Sequence, residues 1–267
     1  MEKRNRPKIR PTAPEASPVG RDVVFGLRAV VEVLRSDQEV ERILVQKDLK
    51  NEVALPEVLV LARERHVPVQ RVPIEKLNRV TRKNHQGVIA LISSIAYASL
   101  ENVIDAAYEA GHDPLMLILD RVTDVRNFGA IARSAECAGV DALVLPERGG
   151  ARIGSDALKT SAGALSHLPV CRVPRLAQTI RELQARGVRV VACTEKADKL
   201  LYEVDLSGPL ALLLGSEEDG IQPELLEKSD EQVRLPIQGK VSSLNVSVAA
   251  GIATYEAVRQ RLNTVVP

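Results

Sequence analysis

Short runs of apolar residues alternate with amphipathic stretches through the second half of the chain. The runs at 115–119 and 210–214 are apolar at every position, which is typical of parallel strands buried on both faces. The predicted order is strand 115–119, helix 127–138, strand 140–145, helix 155–166, strand 170–173, helix 175–186, strand 188–193, strand 209–214, helix 223–228, strand 231–235 and helix 243–261. This alternation predicts an α/β domain over residues 114–267, with a parallel sheet covered by helices on both faces.

The first part of the chain predicts a smaller, mixed α/β domain over residues 21–95. Its expected elements are a helix at 26–34, a strand at 42–45, a helix at 55–65, a strand at 67–72 and a strand at 87–93. Residues 1–20 contain prolines and lack a hydrophobic period, so we expect a disordered tail there. Residues 96–113 are expected to form a linker with one helix, at 100–109.

The charges of the chain are nearly balanced, with 36 Lys and Arg against 35 Asp and Glu and a net charge of +1. The protein as a whole therefore attracts nucleic acid only weakly, and any contact with RNA has to come from a local patch. One candidate patch is the tail, which carries Lys3, Arg4, Arg6, Lys8 and Arg10. The tail fits a solubilising segment and an RNA-tethering arm equally well.

Cysteine and histidine positions argue against disulfides and metal sites. Cys137, Cys171 and Cys193 have no paired spacing and lie in or beside apolar segments, so we expect buried thiols in a reducing cytoplasm. The four histidines are far apart, so we expect no bound metal. No apolar stretch approaches the roughly 18 residues that span a bilayer, so we expect a cytoplasmic protein without membrane contact.

Three polar loops each follow one of the predicted strands. They are residues 120–126, Gly215–Ile221 and Leu235–Asn245. Open α/β sheets bind ligands at the carboxyl ends of their strands, so these loops predict the site. The first loop contains no glycine, whereas a dinucleotide site or an ordinary methyltransferase site would show a Gly-x-Gly-x-x-Gly turn there. The sequence therefore disfavours an ordinary Rossmann enzyme.

The loops and the elements beside them carry three blocks of residues at characteristic spacings. The blocks are Asn127, Gly129 and Arg133; Gly215, Glu217, Gly220 and Ile221; and Pro236, Ser243, Leu244, Asn245 and Ser247. Together they resemble the signature blocks of the SPOUT class of RNA methyltransferases, and within it the SpoU/TrmH-type ribose 2′-O-methyltransferases. The resemblance covers residues 114–263 and, more weakly, 21–95. It implies a deep trefoil knot in the carboxy-terminal domain, which is a rare connectivity, and an L30e-like amino-terminal domain that recognises RNA.

The resemblance also implies a ligand, partners and residue roles. S-adenosylmethionine is the implied cofactor, and the residues implied to hold it are Thr194, Gly215, Gly220, Leu235, Ile237, Ser243 and Leu244. Structured RNA and a second copy of the chain, in a homodimer, are the implied partners. The implied catalytic residues are Arg133, Asn127, Glu217 and Asn245. Family accounts make this arginine a general base, but a guanidinium stays protonated in proteins, so binding a phosphate and stabilising the developing alkoxide is the better role.

Most of these side chains also have a purely structural interpretation. Arg133 can pair with Glu136 on the same helix, Asn127 can cap that helix, and Ser243 and Asn245 can cap the last helix. One residue departs from the family pattern, because Glu218 stands where the family usually has glycine. A left-handed backbone at Glu218 would cost about 1 kcal/mol.

The substrate is the least determined part of the prediction. The added amino-terminal domain and the third block most resemble the branch that methylates guanosine in 23S ribosomal RNA. Transfer RNA is an alternative substrate, and a non-catalytic RNA-binding or ribosome-assembly protein of the same fold is an alternative function. The presence of Asn127, Arg133, Glu217 and Asn245 weighs against the non-catalytic alternative.

Overall fold

The computed structural model describes residues 23–49, 54–151 and 153–264, so the predictions for the tail at 1–20 lie outside the described residues. These residues form two compact units. The smaller unit contains residues 23–49, 54–96 and 153–155, and the larger unit contains residues 97–151 and 156–264.

The smaller unit is a four-stranded mixed sheet with helices on both faces. Its elements are β1 (Val23–Phe25), α1 (Leu27–Arg35), β2 (Val40–Gln46), α2 (Ala54–Glu64), β3 (Val69–Val72), α3 (Ile74–Val80) and β4 (Val88–Ile92). The strand order is β1-β4-β2-β3, with β2 and β3 parallel and β4 antiparallel to both of its neighbours. One face packs against α1 and α2 through Val30, Ile43 and Val58. The other face receives Leu77 of α3.

The larger unit contains six parallel strands, as the hydrophobic pattern predicts. Its elements are α4 (Leu100–Glu109), β5 (Leu115–Leu119), α5 (Val125–Ala138), β6 (Ala142–Pro146), α6 (Ser155–Thr160), β7 (Val170–Val173), α7 (Leu176–Ala185), β8 (Arg189–Cys193), β9 (Leu210–Leu214), α8 (Pro223–Lys228), β10 (Glu231–Val233) and α9 (Val246–Thr264). The strand order is β10-β8-β9-β5-β6-β7. All five neighbouring pairs are parallel.

Helices cover both faces of this sheet. Alternate residues of a strand point to opposite faces, and the face that includes Met116 and Ile118 packs against α4, α7 and α8. The opposite face carries α5 and α9, which lie along each other. Val103 and Ile104 of α4 are buried in the core, so the segment expected as a linker contributes a helix to the larger unit.

The predicted helix at 155–166 is wrong in its second half. The helix α6 ends at Thr160, and a short 3-10 turn follows at Ala164–Ser166. Ala162 and Gly163 separate the two, with left-handed φ values of 50° and 87°. A continuous α-helix cannot include this conformation, so α6 ends before it.

Small residues let α5 approach its neighbours closely. A Cβ atom at Gly129 would lie 2.6 Å from the Cβ of Thr160, so only glycine fits at this position of α5. On the side towards α9, a Cβ atom at Gly251 would lie 3.9 Å from the Oγ of Ser134. Ala250, Ala253 and Ala257 of α9 are almost fully buried, which is typical of a helix packed tightly on its neighbours.

The cysteine prediction is partly wrong. Cys171 is buried and Cys193 is partly buried, whereas Cys137 lies exposed on α5. Burial raises the pKa of the Cys171 and Cys193 thiols to about 12, so both stay protonated near neutral pH.

The described residues contain neither a candidate membrane-spanning helix nor a candidate metal cluster. Within the described ranges, no helix combines the length and the apolar character that crossing a bilayer requires. Nor do the described residues contain a group of three or more His, Cys, Asp or Glu placed to hold a metal ion.

Candidate active site

The candidate site lies at the carboxyl edge of the parallel sheet. The strands β10, β8 and β9 are neighbours, and their last residues Val233, Cys193 and Leu214 pair in register. Neighbouring strands lie about 4.8 Å apart, so the three loops that follow these strands start side by side. The loop after β5 starts beside the loop after β9, because Leu119 pairs with Leu214.

Glu217 connects the loop after β9 to the amino-terminal ends of α5 and α9. Its Oε1 atom accepts a hydrogen bond from Asn127 Nδ2 at 3.0 Å and from the backbone N–H of Val246 at 3.2 Å. The same oxygen accepts a hydrogen bond from the Nδ2 of Asn245. Asn245 Nδ2 also lies 3.0 Å from Asn127 Oδ1. Three predicted site residues from distant parts of the sequence therefore form one cluster, which we call the Glu217 cluster (Asn127, Glu217 and Asn245).

Asn127 is available to this cluster because another residue caps α5. The helix begins at Val125, two residues earlier than predicted, and Asp124 is its N-cap. The Asp124 carboxylate accepts hydrogen bonds from the backbone N–H groups of Arg126 at 2.7 Å and Asn127 at 2.9 Å. Asn127 therefore sits inside the first turn and does not cap the helix, which leaves its side chain to bind Glu217.

The side chain of Asn245 caps α9 and also hydrogen-bonds to the other residues of the cluster. The helix begins at Val246, three residues later than predicted. The Oδ1 atom of Asn245 accepts a hydrogen bond from the Ser247 backbone N–H at 3.0 Å, which caps the helix. The Nδ2 group of the same side chain points to Asn127 and Glu217. Ser243 lies three residues before the start of the helix and is exposed, so it does not act as the cap.

Arg133 is not part of the Glu217 cluster. It lies on the exposed side of α5, and the described residues offer it no hydrogen bond or ion pair. The predicted pair with Glu136 is therefore absent among the described contacts. Its guanidinium group faces solvent, where it can reach a ligand.

The predicted cofactor residues lie on the three loops that follow β8, β9 and β10. Thr194 directly follows β8 and is buried, and its backbone N–H bonds the carbonyl of Val233 at 2.8 Å. Leu235 follows β10, and the segment behind it carries Ile237 and Leu244 with 37% and 41% of their surfaces exposed. Exposed apolar side chains on a loop at this edge of the sheet provide surface that a ligand can cover.

The loop at 215–220 is held in a tight turn. The backbone groups of Ser216 and Gly220 exchange two hydrogen bonds, at 3.2 and 3.0 Å. A Cβ atom at Gly215 would lie 2.2 Å from the carbonyl carbon of Gly220, so no larger residue fits there. Gly220 takes the left-handed conformation with φ of 67°, while Glu218 is not among the residues with positive φ. The strain considered for Glu218 is therefore absent.

Sequence reasoning missed Asp120 and Gln222, which join the loops after β5 and β9. Asp120 is fully buried. Its two carboxylate oxygens accept hydrogen bonds from the backbone N–H of Gln222 at 2.8 Å and from its Nε2 at 2.7 Å. An aspartate directly after a fully apolar strand was the available signal, because a buried carboxylate requires partners.

We expect Glu217→Ala to lower methyl transfer by at least about tenfold and to lower the free energy of unfolding by about 1 kcal/mol. The substitution removes the acceptor of three hydrogen bonds. A buried bond contributes about 1 kcal/mol, but these three share one oxygen of an exposed side chain, so their sum is expected to be about 1 kcal/mol. Thermal unfolding and a methyl-transfer assay on the same preparations measure both effects.

Glu218→Ala is the matched control. Glu218 is the adjacent exposed glutamate, and its side chain forms no hydrogen bond or ion pair with a described residue. Glu217→Gln keeps one oxygen acceptor, and we expect it to retain most of the stability. Equal stability and activity of the Glu217→Ala and Glu218→Ala variants would contradict the importance of the cluster.

Comparison with known proteins identifies relatives of both units. Residues 114–255 match the model of the SpoU rRNA Methylase family, and residues 23–98 match a model described as RNA 2′-O ribose methyltransferase substrate binding. A 23S rRNA (guanosine-2′-O-)-methyltransferase RlmB of Xylella fastidiosa is 40% identical over 240 residues, which covers 89% of this chain and 96% of that protein.

Two solved structures are similar as well. The SpoU methyltransferase AviRb from Streptomyces viridochromogenes, solved in complex with AdoMet, is 26% identical with a TM-score of 0.58 and 90% of each chain covered. A TrmH/SpoU tRNA modifying enzyme of A. aeolicus is 33% identical with a TM-score of 0.53, and the match covers 57% of this chain and 78% of that one.

Proposed function

Because this chain belongs to the SpoU rRNA methylase family, we propose that it transfers a methyl group from S-adenosylmethionine to the ribose 2′-oxygen of a guanosine in 23S ribosomal RNA. The observation that carries the proposal is the Glu217 cluster, which joins the loop after β9 to the starts of α5 and α9. The guanosine and the 23S RNA come from the similarity to RlmB proteins, which extends over about nine tenths of the chain.

The loops after β8, β9 and β10 fit the cofactor. Thr194, Gly215, Gly220, Leu235, Ile237, Ser243 and Leu244 are the residues that would hold it. The exposed Ile237 and Leu244 supply apolar surface for an adenine ring, while the glycine-containing turn at 215–220 allows close approach to the backbone. When bound, S-adenosylmethionine supplies a methyl group on a positively charged sulfur.

The protein's own residues position and polarise the acceptor sugar. Arg133 donates hydrogen bonds from an exposed guanidinium to an RNA phosphate next to the target ribose, and it stabilises the negative charge that develops on the 2′-oxygen. The Glu217 cluster fixes the loop after β9 against the starts of α5 and α9, so that the cofactor loops and Arg133 keep their spacing. Such positioning is a large part of the rate enhancement of a transfer reaction.

The proposed fold includes the trefoil knot and the L30e-like amino-terminal domain. Two features support the knot. The segment 234–245 leads from β10, at the edge of the sheet, to α9 beside α5. Near its other end, α9 bonds to the connection between β8 and β9, because Gln260 contacts the backbone of Val204 and Leu206. The mixed sheet of β1 to β4 supports a separate RNA-recognition domain. Because α4 packs in the core of the larger unit, we assign this helix to the catalytic domain and not to a linker.

The proposed active form is a homodimer in the cytoplasm, where ribosomal RNA is processed. The support for a dimer is a stripe on α9, where Val248, Tyr255 and Leu262 follow one another at intervals of seven residues and have about half or more of their surfaces exposed. Residues seven apart lie on the same side of a helix. A second copy of the chain can cover such a stripe around a two-fold axis.

Transfer RNA is the second candidate substrate. The tRNA-modifying relative from A. aeolicus supports it, but that match covers just over half of this chain. The RlmB relatives match over both units, which favours ribosomal RNA.

Mapping of 2′-O-methyl groups in a strain that lacks the gene tests the substrate. We expect one 2′-O-methylguanosine to disappear from 23S ribosomal RNA and to return when the wild-type gene is supplied, but not when the Arg133→Ala variant is supplied. Loss of a methyl group from transfer RNA alone would favour the second candidate. Unchanged methylation of both RNAs would contradict the proposed function.

A further inference from the structure

A second concave surface lies at the same edge of the sheet, away from the Glu217 cluster. It is a cavity of about 400 Å³ at the carboxyl ends of β5, β6 and β7. Its walls include Asp120 and Gln222, which belong to the loops after β5 and β9, and the first turn of α7. Four arginines also line it, namely Arg121, Arg148, Arg175 and Arg181.

Three of these four arginines have no carboxylate partner among the residues that the structure describes. Arg121 is occupied, because its guanidinium lies 3.0 Å from Asp219 and donates to the carbonyl of Gly220 at 3.1 Å. Arg148, Arg175 and Arg181 are exposed, and none of them forms an ion pair with a described residue. Of the two acidic side chains in the wall, Asp120 lies 3.5 Å from the Nε of Arg121, and Glu224 lies 3.3 Å from Lys228. The cavity therefore carries an excess of positive charge.

We propose that this cavity binds the phosphate backbone of the RNA substrate through Arg148, Arg175 and Arg181. The identity of the substrate rests on the proposed function. The new element is a phosphate-binding site at the carboxyl edge of the sheet, beside α7 and α8. Arginine suits this ligand, since its planar group binds phosphate oxygens with two parallel hydrogen bonds. The start of α7 adds the positive end of a helix dipole.

The wall composition favours the backbone of RNA over its bases. The residues that line the cavity include no aromatic side chain, whereas proteins that hold unpaired bases commonly stack them on aromatic rings. The volume of about 400 Å³ also exceeds the space that a single inorganic phosphate needs. A short stretch of ribose and phosphate fits both the size and the charge.

The cavity is connected to the Glu217 cluster through Arg121. Arg121 lines the cavity and binds Asp219 and Gly220, which lie in the same turn as Glu217. It holds this position with a left-handed φ of 55°, which is uncommon for a residue other than glycine. An RNA strand held in the cavity therefore lies beside the loop that carries Glu217, so the phosphate site can anchor RNA next to the site of methyl transfer.

The test is the salt dependence of RNA binding by the full-length protein, measured by filter binding with transcribed 23S ribosomal RNA. For the double variant Arg148→Gln/Arg181→Gln, we expect the slope of log K against log salt to fall by about 2, since each phosphate contact contributes about 0.9. At about 0.1 M salt, this loss weakens binding on the order of fiftyfold. The double variant Arg148→Lys/Arg181→Lys keeps both charges and should restore most of the slope.

Arg186→Gln is the matched control, because Arg186 lies just beyond the other end of α7, about 15 Å along the helix axis from its first residue, is not among the residues that line the cavity, and is paired with Asp105. An unchanged slope in the Arg148→Gln/Arg181→Gln variant, or an equal loss in the Arg186→Gln variant, would overturn the proposal. Tight binding of inorganic phosphate or guanosine monophosphate that depends on these arginines, with RNA binding unaffected, would overturn it too, because the site would then serve a small anion. Binding is measured without S-adenosylmethionine, so a wild-type protein that fails to methylate would contradict the proposed function and leave this test intact.

Discussion

Replacing Arg133 with alanine is expected to lower methyl transfer by about 100- to 1000-fold, the usual effect of removing one group that stabilises charge in a transition state. Arg133 is exposed and has no partner among the described residues, so its removal leaves no buried group unpaired. We therefore expect the thermal stability of the variant to match that of the wild-type protein. The affinity for S-adenosylmethionine should also be unchanged, since the proposed cofactor loops follow β8, β9 and β10.

Calorimetric titration with S-adenosylmethionine and single-turnover methyl transfer separate binding from chemistry in the Arg133→Ala variant. Arg133→Lys keeps the positive charge but cannot form the bidentate hydrogen bonds of a guanidinium, so we expect it to recover only part of the rate of methyl transfer. Arg186→Ala is the control for the loss of an exposed arginine. If cofactor binding is lost together with turnover in Arg133→Ala, the role assigned to Arg133 is incorrect.

Gly215→Ala is expected to abolish detectable binding of S-adenosylmethionine. The new Cβ atom would lie 2.2 Å from the carbonyl carbon of Gly220 and 2.3 Å from the backbone nitrogen of Ile221. Both neighbours are backbone atoms, so the turn at 215–220 has to open, and the loop that carries Glu217 moves with it. Forced overpacking of this kind typically costs about 1–3 kcal/mol of stability.

Gly239→Ala is the matched control for Gly215→Ala. A Cβ atom at Gly239 would have no atom within 4 Å, so the stability of this variant should stay within about 0.5 kcal/mol of the wild-type value. Thermal unfolding and calorimetric titration report stability and cofactor binding for both variants. Normal cofactor binding by Gly215→Ala would show that the turn at 215–220 is not part of the cofactor site.

The strands of the larger unit were predictable because they are buried on both faces. The segments 115–119 and 210–214 are apolar at every position, and β5 and β9 occupy these residues in the middle of the sheet. The smaller unit was harder to predict. The strand β1 has three residues and the helix α3 buries only Leu77, so neither gives a period long enough to detect.

Helix boundaries depended on side chains whose partners are distant in sequence. Asn127 was interpreted as a possible cap, but Asp124 caps α5 and Asn127 binds Glu217, 90 residues further along the chain. Cys137 was expected to be buried because apolar residues surround it in sequence, yet its position on α5 faces solvent. The partner of Asn127 and the exposure of Cys137 both depend on how the folded chain packs around α5. Local sequence does not contain that information.

The arginine-lined cavity could not be predicted from the sequence. Its cations come from four separate segments, after β5, after β6, before α7 and within α7. None of these segments is a basic run, and the net charge of +1 gives no hint of a local excess. The excess appears only because parallel strands bring the loops that follow them to one edge.

The proposed methyl transfer is tested most directly by following a labelled methyl group from the cofactor to the RNA. The purified protein is incubated with S-adenosylmethionine that carries tritium in its methyl group and with unmodified 23S ribosomal RNA, and the RNA is then digested to nucleosides. We predict that the label is recovered as 2′-O-methylguanosine. Label on a base, or no transfer to RNA by a folded protein that binds the cofactor, would contradict it.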